Sequence, residues 1–225
     1  GFTWPERFVA TNIRYPFETN GFSQTTNLID DVYGAIISKI DNTGTTGLWR
    51  YTYCESADLP EKTVPERMPT FFAAILPTDE RPEVAAFSPY RMHQRAATQF
   101  RAGRVLLAGD AAHATNPTGG LGLTSGLFDT YVLEESLAAV MTGHADPRVL
   151  DRYADERHRV FTQQVSPTAS ANKRLVYHSD DPSSLEETLR GLRRLETDPD
   201  AARERLMFVK SLETPSLLEA EGVAR

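Results

Sequence analysis

The stretch from Gly103 to Thr130, GRVLLAGDAAHATNPTGGLGLTSGLFDT, gathers the residue types that can do chemistry. Asp110 follows an apolar run, Val105 to Ala108, and Gly109, so a carboxylate stands where the chain leaves a sheet. A charge buried there is expensive without partners, so Asp110 is expected to meet hydrogen-bond donors, either backbone amides or ligand hydroxyls. Further on, Pro117-Thr118-Gly119-Gly120-Leu121-Gly122 opens a helix. Its glycines permit a backbone path closed to other residues and let a ligand approach the peptide groups. The first amides of a helix lack intrahelical partners and carry the positive end of its dipole, which suits an anion or developing negative charge. Taken alone, the cluster equally describes a glycine-rich helix entry packed tightly on a sheet.

These residues need elements to hold them. Val105 to Ala108 reads as a short buried strand, fed by a turn at Arg101-Ala102-Gly103-Arg104. The helix is expected from about Leu123 to Met141, ended by Gly143, with Leu123, Leu127, Tyr131, Leu137 and Met141 forming its apolar face. Upstream, Phe8 to Tyr15 is a β-rich run, and Val32 to Ile40 is a second, closed by the turn cluster Asp41-Asn42-Thr43-Gly44. In Leu48 to Tyr53, Trp49, Tyr51 and Tyr53 alternate with Leu48, Arg50 and Thr52, so one row faces a core and the other faces out. The two runs form an antiparallel hairpin. Thr63-Val64-Pro65-Glu66 has capping-box spacing and predicts a short helix, interrupted or kinked at Pro69. Val84 to His93 is a further strand. Helices are predicted over Asp151–Gln164, Ser183–Leu195 and Asp200–Leu212, where charges crowd the outer faces.

Composition bounds the function. With 225 residues, 40% hydrophobic and 24% charged, the chain is an ordinary globular protein. A net charge of −7 and a pI near 5.3 argue against nucleic-acid binding. One cysteine, Cys54, forms no intrachain disulfide. No apolar run is long enough to span a membrane, and the opening residues show no leader, so the expected setting is cytoplasmic. The five histidines lack metal-ligand spacing, and no metal is expected. Gly120-Leu121-Gly122-Leu123-Thr124-Ser125 nearly matches a dinucleotide fingerprint, but no strand directly precedes it and no acid follows about twenty residues on. That reading is rejected.

Gly103 to Leu133 resembles the second FAD-binding motif of the flavin-dependent aromatic hydroxylases, the para-hydroxybenzoate hydroxylase fold family: an apolar strand, Gly-Asp-Ala-Ala-His, a proline, a glycine-rich turn and a helix carrying an Asp. Phe8 to Tyr53 resembles the family's substrate-domain sheet, and the resemblance extends over most of residues 1–165. It implies an α+β fold with an antiparallel substrate-domain sheet over 1–100, a second FAD-binding strand–loop–helix segment over 101–165 and a helical tail over 166–225. It implies that Asp110 accepts from a ribityl hydroxyl of FAD and that Pro117, the residue placed at the catalytic edge, lies beside the isoalloxazine with its carbonyl facing the oxygen-bearing position. Gly109, Gly119, Gly120, Leu121 and Gly122 would complete the cofactor contact. The amides of Leu123 and Thr124 would stabilise charge on the pyrimidine side of reduced flavin. Thr124 stands where the family usually has Asn, which removes any Asn side-chain contact. Asp129 would fix a loop or pack the helix.

The substrate side departs from the family. Ser38 stands at the expected serine, but Ile40 replaces the arginine that grips a substrate carboxylate. Tyr51, Tyr53 and His93 are either pocket-lining groups or ordinary sheet packing. Arg91, Arg95, Arg101 and Arg104 face either solvent or the phosphates of FAD or a nicotinamide cofactor. The family's first FAD motif, G-x-G-x-x-G, and its Asp-Gly strand motif are absent, so the chain is expected to be an N-terminally truncated portion that by itself binds FAD weakly or not at all. For the intact protein the resemblance implies a monooxygenase using FAD, NADPH or NADH, and O2 on a small aromatic substrate of phenol or hydroxypyridine type. Related flavoproteins that epoxidise, halogenate or reduce isoprenoids remain open, as do a homodimer and a non-catalytic interaction module.

Overall fold

The computed structural model describes residues 1–42, 46–77 and 81–218. Thr43 and Gly44 of the predicted turn lie outside them. The described residues group into two compact units: a sheet unit, Thr3–Met92 with Lys173–Glu186, and a helical unit, Gly1–Phe2, His93–Asn172 and Glu187 onward.

In the sheet unit the strands are β1 (Phe2–Arg14), β2 (Thr25–Leu28), β3 (Ala35–Asp41), β4 (Leu48–Ser56) and the first part of β5 (Glu83–Ala96), in the order β2-β3-β4-β1-β5. The predicted β3–β4 hairpin is present and antiparallel, with Ala35 opposite Tyr53 and Ser38 opposite Arg50. The β-run predicted from Val32 begins only at Ala35, because Asp30 accepts from the amides of Val32 and Tyr33 and turns the chain there. Alternation along β4 holds for the aromatic row, where Trp49, Tyr51 and Tyr53 are fully buried; of the row read as outward only Arg50 is exposed, while Leu48 is half-buried and Thr52 is buried beneath Tyr177.

Helix α1 (Val64–Ile75) covers that aromatic row. Met68, Phe72 and Leu76 join Val9, Ile13, Ile37, Trp49, Tyr51 and Tyr53 in one core. Phe71 stacks on Tyr53 at 4.0 Å, and Phe72 meets Tyr51 edge-on at 5.4 Å. The predicted capping box does not form. The Thr63 hydroxyl instead donates to the Pro60 carbonyl and accepts from Arg67, whose guanidinium also donates twice to the buried Glu55 carboxylate. A charge-assisted fork outweighs one cap bond. Nor does Pro69 end the helix, which continues to Ile75; its missing amide removes a single ladder bond, near the helix start. On the opposite sheet face, Phe8, Ile36 and Cys54 pack with Val176 and Tyr177, and the Tyr177 hydroxyl donates to the Thr52 carbonyl at 3.1 Å.

In the helical unit the end of β5 pairs with β8 (His113–Ala114), and β6 (Arg101–Ala102) pairs with β7 (Val105–Leu106). The predicted buried strand over Val105–Ala108 is therefore only two residues long, with Val105 61% exposed. A strand is buried only where neighbours cover both faces, and among the described residues β7 pairs with β6 alone. Helix α2 (Leu121–Met141) starts two residues earlier than read and presents the opposite side. Leu123, Leu127, Tyr131 and Met141 are 60–78% exposed, whereas Leu121, Ser125, Asp129, Val132, Ser136 and Ala139 are buried. Small and polar side chains win the inward face because they admit close backbone approach and carry the hydrogen bonds described below.

Helices α3 (Val149–Val160) and α4 (Ser166–Tyr177) are joined by a π-helical turn, Phe161–Val165, so the predicted Asp151–Gln164 helix is part of a longer rod. Helices α5 (Pro182–Thr197) and α6 (Pro199–Ser211) follow, the latter capped by Asp198, which accepts from the amides of Asp200 and Ala201. No helix among the described residues is long and apolar enough to cross a membrane.

Candidate functional site

The loop from Gly109 to Gly120 is held by two polar networks of the helical unit. The first centres on Asp129, in the third turn of α2 and fully buried. Its Oδ1 accepts from Arg157 Nε at 2.7 Å. Its Oδ2 lies 2.7 Å from His113 Nε2 and accepts from the Gly109 amide at 3.0 Å. Arg157, on α3 and also fully buried, donates further to the Leu212 carbonyl, to Thr214 Oγ1 and to Ser125. Burial opposes ionisation of Asp129, but His113, Arg157 and the Gly109 amide outweigh it and hold the carboxyl below its ordinary range. The His113 ring stacks on Phe161 at 4.1 Å, a contact supplied by the π-helical turn. Asp129 thus ties the loop to both helices.

Gln94 organises the second network. Its amide nitrogen donates to Thr115 Oγ1 and to Ser166, and its amide oxygen accepts from the backbone and side chain of Asn116. Asn116, fully buried, accepts from the Thr118 amide, and the Pro117 carbonyl accepts from the Gly120 amide at 3.0 Å. Pro117 therefore sits in a turn fixed on both sides. Gly119 and Gly120 have φ of 95° and 68°, in the left-handed region where side chains are disfavoured. A Cβ at Gly126 would come within 3.1 Å of Gly109 Cα, so the loop lies directly against α2.

Helix α2 begins at Leu121 with Gly120 as its cap and no capping side chain. The Thr124 hydroxyl turns back to the Gly120 carbonyl at 3.1 Å. The helix entry thus presents backbone donors without a competing side-chain acceptor. Asp110 is exposed on the 3-10 turn Gly109–Ala111. The expectation that it is a buried charge is corrected: the buried carboxylate is Asp129, and Asp110 stays in solvent as an acceptor. An exposed acceptor, left-handed glycines and an uncapped helix start are a donor and acceptor set that fits FAD.

The other candidate residues fall elsewhere. Tyr51 and Tyr53 are buried in the aromatic core beneath α1, and burial pushes both phenols well above their ordinary range. Ser38 stands on the opposite sheet face, so these tyrosines do not share its surface. His93 is exposed on β5. Arg101 is committed to the Pro147 carbonyl and to Asp151. Arg91, Arg95 and Arg104 are exposed. No group of three or more His, Cys, Asp or Glu side chains arranged for a metal occurs among the described residues. Gln94, Asn116 and Arg157 were not singled out from the sequence. A buried arginine inside a charge-laced helix is invisible there, although Gln94 sits on the inward row with Met92, where a polar residue is itself a signal.

Comparison with known proteins bears on this arrangement. A profile of the FAD binding domain family matches residues 35–168. The chain is 44% identical over 214 residues to 6-hydroxy-3-succinoylpyridine 3-monooxygenase HspB of Pseudomonas putida, covering 95% of this chain and 54% of that protein. It is 46% identical over 183 residues to para-nitrophenol 4-monooxygenase of a Pseudomonas species, covering 80% of this chain and 45% of the relative. The crystal structure of p-nitrophenol 4-monooxygenase PnpA from Pseudomonas putida superposes with a TM-score of 0.84 at 42% identity, over 94% of this chain and 53% of the other. The chain thus spans about half the length of these relatives.

Proposed function

The chain belongs to the FAD binding domain family, and on that premise we propose that the whole protein is an FAD-dependent monooxygenase that hydroxylates an electron-rich aromatic ring, of phenol or hydroxypyridine type, with NAD(P)H and O2. The observation that carries the reading is the braced loop: exposed Asp110, the left-handed pair Gly119–Gly120 and the uncapped start of α2. The names of the two relatives, one acting on a hydroxypyridine and the other on a nitrophenol, support the substrate class.

Bound FAD supplies the redox chemistry and the activation of dioxygen. The residues of this chain bind and orient. Asp110 accepts from a ribityl hydroxyl, a role that suits an acceptor-only carboxylate. The amide of Leu123, in the unpaired first turn of α2, counters negative charge on the pyrimidine side of the ring, whereas the earlier helix start commits the Thr124 amide to the Gly120 carbonyl. Gly109, Gly119, Gly120, Leu121 and Gly122 offer peptide groups free of bulk, and Pro117 flanks the reactive edge with a backbone that cannot swing. A cytoplasmic setting belongs to the same proposal, since Cys54 is a free thiol and NAD(P)H is an intracellular reductant.

Asp110→Ala in the whole protein tests the assignment. Because Asp110 is exposed, thermal stability should stay within about 0.5 kcal/mol of wild type, while flavin content falls. Normal flavin content would refute the role. Turnover under oxygen-18 gas should place one labelled atom on the product ring, and an unlabelled product would refute the monooxygenase reading.

A further inference from the structure

The register of the sheet unit assembles a row of donors on the face turned away from the aromatic core. Arg50 on β4 stands directly opposite Ser38 on β3 and opposite Asn12 on β1, and Thr25 on β2 stands opposite Ser38. Residues directly opposite share a face, so Thr25, Ser38, Arg50 and Asn12 form one line across four strands. None of them is a core residue: Thr25 and Arg50 are exposed, and Ser38 and Asn12 are half-buried.

The line is chemically one-sided. Arg50 Nε donates to Asn12 Oδ1 at 3.2 Å, which ties the guanidinium to the row through Nε and leaves its two terminal nitrogens for a ligand. With the Asn12 oxygen engaged, its amide nitrogen contributes two further donors, and the Ser38 and Thr25 hydroxyls add one each. No carboxylate pairs with Arg50 among the described residues, although the chain as a whole carries a net charge of −7. Tyr90 on β5 adds a phenol that burial pushes up to about 12 against the opposing pull of Arg50, so it too stays a donor. Its ring meets Phe8 edge-on at 5.9 Å, on the same sheet face as Asn12 and four residues along β1 from it.

A guanidinium fork flanked by neutral donors and an aromatic edge matches a planar ring bearing two polarised oxygens. We propose that Asn12, Arg50 and Ser38 form the subsite that seats a carboxylate or nitro substituent of the aromatic substrate, with Arg50 determining specificity. The proposal rests on the aromatic-hydroxylase reading and deepens it. Ile40, two residues beyond Ser38, leaves the Ser38 face of β3 without a cation, since Lys39 stands on the other face opposite Trp49, and Arg50 supplies one from the neighbouring strand.

The test compares wild-type holoenzyme with Arg50→Gln, Arg50→Lys and Ser38→Ala, using 4-hydroxybenzoate, 4-nitrophenol and 4-methylphenol as probes of ring binding and product formation. Wild type should bind the carboxylate- and nitro-bearing rings tenfold or more tightly than 4-methylphenol. Arg50→Gln should raise KM for those two at least tenfold and for 4-methylphenol less than threefold, with kcat and flavin content held. Arg50→Lys should recover part of the loss, since a point charge replaces a fork, and Ser38→Ala should cost about threefold. Equal KM changes for all three rings, or a loss of flavin instead of a KM change, would overturn the subsite while ring hydroxylation persists. Consumption of NAD(P)H with no hydroxylated ring from any probe would overturn the monooxygenase reading and the subsite with it.

Discussion

Replacing Asp129 is the most exacting perturbation of this architecture. Asp129 and Arg157 are both fully buried, joined at 2.7 Å, and the same carboxylate holds His113 at 2.7 Å and the Gly109 amide at 3.0 Å. Asp129→Ala leaves the guanidinium without its counter-charge, and breaking a buried pair from one side costs about 3–5 kcal/mol. For a chain of this length each kcal/mol moves Tm by roughly 2–4 °C, so a loss of roughly 6–20 °C is expected. Asp129→Asn keeps the shape and one acceptor, and should lose about half as much. The double variant Asp129→Leu with Arg157→Met leaves no charge buried and should regain much of the single-variant loss. Thermal unfolding followed by near-ultraviolet circular dichroism measures all three. An Asp129→Ala variant within about 1 kcal/mol of wild type, or a double variant no better than the single, would refute the reasoning. The pH dependence has a definite sign. Asp129 has a folded pKa below its ordinary value, so its contribution is complete above an unfolded value of about 3.9 and disappears as pH falls through the lower folded value. The gap in Tm between wild type and Asp129→Asn should therefore close in acid, below about pH 4.

Three further outcomes follow from the geometry. Gly126→Ala places a methyl 3.1 Å from Gly109 Cα; overpacking of about 1–3 kcal/mol exceeds the helix-propensity gain of at most about 1 kcal/mol, so chemical denaturation should show a net loss together with weaker flavin retention. Phe72→Ala removes a ring that meets Tyr51 and covers the aromatic core, and should cost about 3–5 kcal/mol, read as faster hydrogen exchange in β4 with the α2 amides unaffected. Asp198→Ala removes the acceptor for the Asp200 and Ala201 amides, and should expose the first turn of α6 to exchange while the rest of the chain keeps its protection.

What the sequence disclosed was decided locally. The β3–β4 hairpin follows from alternation in LWRYTY, and the glycine-led start of α2 follows from residue types that admit few other backbones. The reading of Asp129 as a loop-fixing residue agrees with its bond to the Gly109 amide. Decisions that depend on distant partners were not legible. Leu123, Leu127 and Tyr131 make a genuine helical stripe, but α2 is apolar on several sides, so periodicity alone could not choose which side faces inward. Asp110 and Asp129 are both acids of one motif, and which is buried depends on Arg157, 28 residues beyond Asp129. The row through Arg50 needs the register of four strands, which no single strand contains.

The one cysteine gives this fold an internal clock. Cys54 lies in β4 opposite Phe8, and burial pushes its thiol well above the ordinary range, more than the nearby Lys173 can pull it back. Thiolate is the reactive form, so alkylating reagents should find almost none until the strands around it part. Because the chain has a single cysteine, the rate of labelling counts openings of the sheet unit alone. Opening of the helical unit passes unrecorded, so the sheet unit can be timed by itself without altering a residue.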